Sequence, residues 1–200
     1  GWFPLLMAAV VYTVMSTWRR GRELIRESNR LNSIGLPDFL ASIFAHPPPR
    51  VAGTAVFLNA VAGITPSALL HSLKHYKVLH ERYLFVNVRS HEVPWVAQEQ
   101  RCEVTDLGHD CWQVTIHYGF KDRFDLPLAL QGVQGAVGAL EPMATSYFLS
   151  REVVVPRPGG GMSQWREQLF TRLQLNASAM AEFLCLPSNT VVELGSKIEI

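Results

Sequence analysis

The sequence predicts an α/β chain: one apolar N-terminal helix, then a domain in which a mixed β-sheet is covered by helices. Three observations predict it. Trp2 to Trp18 runs for seventeen residues without a charge and stops at Arg19-Arg20-Gly21-Arg22. Two apolar runs, Thr54 to Leu58 and Tyr83 to Val88, are separated by a helix-patterned stretch, the signature of a right-handed crossover between parallel strands. Trp112, Val114, Ile116, Tyr118 and Phe120 alternate with Gln113, Thr115, His117 and Gly119, the period of a half-buried strand.

The apolar run would measure about 26 Å as a helix, at about 1.5 Å per residue. A bilayer core is about 30 Å thick, so the run lies at the short end of what can span. Trp2, Phe3 and Trp18 flank it, and amphipathic rings favour the water–lipid boundary. The arginines that follow place that end in the cytoplasm. A secretory signal carries its basic residues before the apolar run, the reverse of this order. A core helix shows one polar face, whereas here only Thr13, Ser16 and Thr17 are polar, all near one end. The expected division is a last transmembrane helix over residues 1–18, a juxtamembrane helix and Pro-rich linker over 19–49, and a cytosolic α/β domain over 50–200. Opening at Gly1 inside apolar sequence, the chain reads as the tail of a longer protein.

Arg19 to Arg30 holds five arginines and two glutamates. Glu23 with Arg26, and Glu27 with Arg30, are helix neighbours, so the helix continues as a solvated face that sets orientation and can touch anionic headgroups. Gly35-Leu36-Pro37 breaks it. Phe39, Leu40, Ile43 and Phe44 make a short amphipathic helix, and Pro47-Pro48-Pro49 ends that in an extended spacer. Thr54 to Leu58 reads as a buried strand. Thr65 and Pro66 open a helix with Leu69, Leu73 and Tyr76 inward, and Tyr83 to Val88 is the next strand. Residues 101–107 and 112–120 form a hairpin turning at Gly108-His109-Asp110. Asp125 caps a helix to Leu140 with Leu126, Leu130, Val133 and Val137 on one stripe, weakened by Gly132, Gly135 and Gly138. Ser146 to Val155 is a strand and Pro158 to Gly161 a turn. A long helix runs from Ser163 to about Leu184, with Trp165, Leu169, Leu173, Ala177, Met180 and Leu184 keeping helical spacing. Thr190 to Leu194 closes the sheet, continuing past Gly195.

A net charge of +1 makes no electrostatic case for nucleic acid. Cys102, Cys111 and Cys185 form no CxxC, which argues against a disulfide framework and suits a reducing compartment. Cys102 and Cys111 flank the hairpin, where buried thiols are the common case. His71 and His75 lie four apart on one helix face with His80 or Glu81 as a third zinc ligand. Yet Ser72-Leu73-Lys74 fill the slot where a glutamate would stand, and Lys74 and Lys77 repel a cation; a polar helix end is the plainer reading. The loop Asn59 to Thr65 follows a parallel strand, where nucleotides bind, but carries neither GxGxxG nor a P-loop. Ser146 and Ser150 lack an elbow motif. No catalytic, cofactor or metal residue is assigned.

Several blocks together resemble one family. They are Gly1-Trp2-Phe3-Pro4-Leu5 with Thr17-Trp18; Pro48-Pro49-Arg50-Val51 with Gly53-Thr54-Ala55-Val56-Phe57; Ala68-Leu69-Leu70-His71 with Leu73-Lys74-His75 and Lys77-Val78-Leu79-His80-Glu81-Arg82; Thr145-Ser146-Tyr147-Phe148-Leu149-Ser150; and Val191-Val192-Glu193-Leu194-Gly195 with Ile198-Glu199-Ile200. In this order and spacing the chain resembles the C-terminal end of Kup-type (KUP/HAK/KT) potassium uptake transporters. It departs at Ser72 and Tyr76, where the family usually has asparagine, and at Ala144, where it usually has glutamate. The resemblance implies a multi-spanning inner-membrane protein moving potassium with protons, its ions bound in upstream helices outside this chain. It implies for these 200 residues a cytosolic domain that regulates or dimerises, with the bilayer, the upstream helices and a second copy as partners. The rival readings are a nucleotide-sensing module and a His-ligated metal hydrolase.

Overall fold

The computed structural model describes residues 1–31, 33–155, 161–176, 184–187 and 189–199. The chain divides into two compact units. The first comprises Gly1–Ser33, Glu152–Ser178 and Gly195–Ile200; the second comprises Ile34–Arg151 and Ala179–Leu194.

The first unit is built on α1, Trp2–Leu31, thirty residues long. Leu, Met and Ala favour helix, and Pro4 sits in the first turn, where its missing N–H costs no hydrogen bond. On its surface Glu23 pairs with Arg19 at 3.1 Å and Arg20 at 3.6 Å, and not with Arg26 as expected. α6, Gln164–Asn176, meets the second half of α1: Trp18, Leu24, Ile25 and Met162 pack around a fully buried Phe170. Among the described residues no helix is long and apolar enough to cross a membrane, so the span expected over 1–18 is not confirmed. The reason is compositional. Pro4, Tyr12, Thr13, Ser16 and Thr17 dilute a run of only seventeen residues, and the arginines begin at Arg19. Residues 2–18 are instead the first part of a longer continuous helix.

The second unit is a mixed α/β layer structure. Its helices are α2 (Leu36–Ala45), α3 (Ser67–Tyr76), α4 (Leu126–Gln131) and α5 (Gln134–Val137). The strands are β1 (Arg50–Asn59), β2 (Leu79–His91), β3 (Cys102–Gly108), β4 (Cys111–Gly119), β5 (Thr145–Val155) and β6 (Val191–Glu199); β5 and β6 run on into the first unit. The sheet order is β3-β4-β2-β1-β5-β6. β1 pairs in parallel with β2 and β5, β2 in parallel with β4, and β3 with β4 antiparallel. The crossover predicted from the two apolar runs is therefore present, with α3 as its helix. β1 begins at Arg50, four residues earlier than its apolar run, and its register with β2 shifts between Val51 and Thr54. Gly53 makes that bulge: its φ is +114°, and a Cβ there would stand 2.8 Å from the Ala144 carbonyl oxygen.

Strand alternation sorts the core into two layers. One face holds Val56, Leu84, Val86, Val114, Ile116, Tyr118 and Tyr147 beneath α4 and α5. The other holds Ala55, Phe57, Tyr83, Phe85, Cys111 and Phe148 beneath α2 and α3. The hairpin turns at His109 and Asp110, with φ of 56° and 61°, the left-handed pair of a two-residue hairpin loop.

Several expectations are corrected. Tyr76, predicted inward on α3, is exposed, and α3 starts at Ser67 with Pro66 as its N-cap and no cap from the Thr65 side chain. The helix from Asp125 to Leu140 is two short helices. Asp125 caps the first, accepting the Leu128 N–H at 2.9 Å, and the predicted stripe of Leu126, Leu130, Val133 and Val137 is buried. The chain breaks at Gly132–Val133 and stops at Gly138, where φ is +83°. Phe120 lies beyond β4 and is exposed, although it keeps the strand's period. The helix from Ser163 is seen to Asn176; residues 177–183 lie outside the described residues, and Leu184 is buried in a turn of the second unit. Trp165, on the stripe that keeps helical spacing, is exposed, and among the described residues of α6 Glu167 and Phe170 are buried.

Candidate functional site

The histidine cluster does not assemble as a metal centre. His71 and His75 stack on α3 with ring centroids 6.4 Å apart. His80 and Glu81 belong to β2, because Lys77 adopts a left-handed φ of 55° and ends α3. His80 packs edge-on against Tyr83 and Phe148, and burial lowers its pKa. No group of three potential ligands occurs among the described residues.

The carboxyl ends of β1, β2 and β5 form the crevice where open α/β sheets bind ligands. Here their polar groups are spent on one another. The Asn59 side-chain amide donates to the Ile64 carbonyl at 2.5 Å. The Asn87 amide, 3% exposed, donates to the Asn59 and Ala60 carbonyls at 2.9 Å each. The Ser150 hydroxyl accepts the Ala68 N–H at 3.1 Å and the Ser67 hydroxyl at 2.9 Å. The loop Asn59–Thr65 is strapped further by Leu36 N–H to Gly63 and Thr65 N–H to Ile34. Further along β2 and β4, His91 Nε2 stands 2.7 Å from His117 Nδ1. One of those nitrogens must carry the proton and the other accept it.

The loops after β2 and β4 build a firm outward platform. Asp122 accepts the N–H groups of Gly119 at 2.8 Å and Val96 at 3.1 Å, and pairs with Arg101 at 3.0 Å. Those backbone donors, with Arg101, hold its carboxyl below its ordinary pKa. The loops so fixed present Val93, Trp95 and Phe120 to the outside.

The thiols do not pair. Cys102 lies opposite Ile116 and Cys111 opposite Gly108, at the two ends of the hairpin and in different core layers. Burial pushes the Cys111 thiol up to about 12, and the Tyr83 phenol likewise to about 12.

In the first unit, α1 changes character at Thr13. Residues 2–12 are exposed all round, while from Thr17 onward one stripe, Thr17, Gly21 and Ile25, is buried. Arg166 of α6 donates from Nε to the Thr17 hydroxyl at 3.0 Å and from Nη2 to the Ser16 hydroxyl at 3.3 Å. Phe170 lies on Gly21, where a Cβ would collide with its ring. This junction has no expectation behind it. Its one sequence signal is Gly21 itself: glycine inside a helix costs about 0.5–1 kcal/mol against alanine and calls for a packing reason.

Residues 52–200 match the family described as K+ potassium transporter C-terminal domain. All 200 residues align with proteins named probable potassium transport system protein Kup. The identity is 61% with that of Acidovorax sp. (strain JS42), 56% with that of Polaromonas naphthalenivorans (strain CJ2) and 51% with that of Nitrosospira multiformis. In each case the alignment covers 100% of this chain and 32% of the relative, so the chain spans about a third of the length of those proteins. No solved structure matches the chain.

Proposed function

This chain belongs to the family of K+ potassium transporter C-terminal domains, a transporter family and not an enzyme family, and from that premise we propose that it is the carboxy-terminal third of a potassium uptake transporter of the cell membrane. In this reading transport is coupled to protons, and the ion sites lie in the upstream two thirds. The second unit is the cytosolic regulatory or dimerising part.

One observation supports the membrane side of the reading. Trp2, Leu5 and Tyr12 are each more than 70% exposed, on a stretch with no charged neighbour before Arg19. A helix bare and apolar on all sides has no stable place in water. In the full-length protein, lipid and the preceding helices cover it, so α1 belongs to a multi-helix membrane domain and is not a free-standing span. The positive-inside rule then puts residues 19–200 in the cytoplasm.

The test is potassium uptake by the full-length protein in cells stripped of their own uptake systems. Growth at limiting potassium, abolished by a protonophore, is the expected result. Absence of accumulation by a correctly inserted protein refutes the transporter reading, and uptake indifferent to the proton gradient refutes the coupling.

A further inference from the structure

We propose that α6 is a second membrane-surface element, with its outward face and the α1 arginines set among anionic phospholipid headgroups. The proposal rests on the reading that the first half of α1 is membrane-embedded, and it concerns a different helix.

The argument begins with the two faces of α6. Inward, Glu167 and Phe170 are buried against α1. Outward, Trp165 is 57% and Leu175 59% exposed, with exposed Arg172 between them. Gln164 and Gln168 are exposed as well, so the pairing of Trp with Arg, and not an apolar stripe, is what suits the water–lipid boundary: the ring sits at headgroup level and the guanidinium reaches the phosphates.

The level is right as well. Arg166, next to Trp165, reaches Ser16 and Thr17, the last residues before Trp18 ends the uncharged run. Phe170 rests against Trp18 at 5.6 Å between centroids, and the Arg22 guanidinium stands over Trp18 at 6.0 Å. Two tryptophans and four arginines, Arg19, Arg20, Arg22 and Arg166, therefore gather around this step of the helix pair. That is the composition of a cytoplasmic water–lipid boundary.

Charge complementarity selects the occupant. α1 and α6 together carry seven arginines against three glutamates, and one of the three, Glu167, is 1% exposed. Arg19 and Arg20 share Glu23, and the surplus faces outward on exposed Arg26, Arg30 and Arg172. A surface of phosphatidylglycerol-type headgroups fits this pattern, whereas a neutral apolar partner would leave the guanidinium groups without counter-charge.

The experiment is tryptophan quenching by lipids brominated near the headgroup end of the acyl chain. The full-length protein, with its tryptophans upstream of these 200 residues replaced by phenylalanine, is reconstituted in phosphatidylcholine vesicles with or without phosphatidylglycerol, and compared with Trp165→Phe and Trp2→Phe. If α6 lies on the lipid, Trp165→Phe removes at least about a fifth of the quenching, the share of one tryptophan in five. That loss shrinks at least about two-fold without phosphatidylglycerol, since the attraction is to anionic lipid. Trp2→Phe lowering the quenching while Trp165→Phe leaves it unchanged overturns the proposal and spares the embedded α1. Neither substitution lowering it overturns both. An equal Trp165 share in both lipid mixtures overturns the choice of anionic headgroups.

Discussion

Replacing Gly21 by alanine should loosen the α1–α6 junction even though alanine is the better helix former. Two terms oppose each other. Alanine in a helix interior gains about 0.5–1 kcal/mol over glycine. The added Cβ, however, lands on three atoms of the Phe170 ring, and that ring is fully buried with Trp18 against it, so it has nowhere to move. Overpacking of this kind costs about 1–3 kcal/mol, leaving a net loss of up to about 2.5 kcal/mol. Phe170→Ala alone removes a buried aromatic and costs about 3–5 kcal/mol. In that background the clash is gone, and Gly21→Ala should become stabilising by about 0.5–1 kcal/mol. The sign reversal is the distinctive result, a coupling of about 2 kcal/mol between two residues in contact. Urea unfolding in detergent, followed by tryptophan fluorescence, measures it. Gly21→Ala stabilising the chain by the same amount with and without Phe170 would refute the close approach.

Three further outcomes follow from the geometry. Of the three thiols, exposed Cys185 should react first with a maleimide, Cys102 more slowly, and Cys111, buried with its pKa near 12, only on unfolding; mass spectrometry of timed samples checks the order. The Asp122 carboxyl is held below its ordinary pKa, so its contribution to stability is complete above the usual carboxylate range and disappears as pH falls through its depressed value. The gap in urea midpoint between the native chain and Asp122→Asn should therefore close in acid, and a gap constant with pH would contradict the account. Glu167 Oε1 is buried without a hydrogen-bond partner. Glu167→Met, a side chain of similar length without the orphaned oxygen, should stabilise the chain by about 1–3 kcal/mol and raise the thermal midpoint; a lower midpoint would show that the carboxyl group makes an interaction the thioether cannot replace.

Much of this protein was determined by the sequence alone. The parallel pair of β1 and β2 follows from two apolar runs joined by a helical stretch, and the hairpin from period-two alternation around Gly108-His109-Asp110; the structure narrows that turn to His109 and Asp110. These signals are local, and so they survive being read one segment at a time. Family membership was also legible, because many short blocks kept their order and spacing.

What only the tertiary structure decided is where long-range contacts overrule local pattern. Helical spacing set Trp165 on the apolar stripe of α6, but the partner that α6 meets is the narrow Gly21 step of α1, which admits the Phe170 ring and leaves Trp165 outside. His71 and His80 are separated because one left-handed residue, Lys77, sends the chain from helix into strand. The polar groups at the ends of β1, β2 and β5 could have been a ligand's, yet Asn59, Asn87 and Ser150 bind the backbone of their neighbours. Helix period reports which residues share a face. It cannot report which face a distant segment will cover, since that depends on surfaces brought together only when the chain is folded.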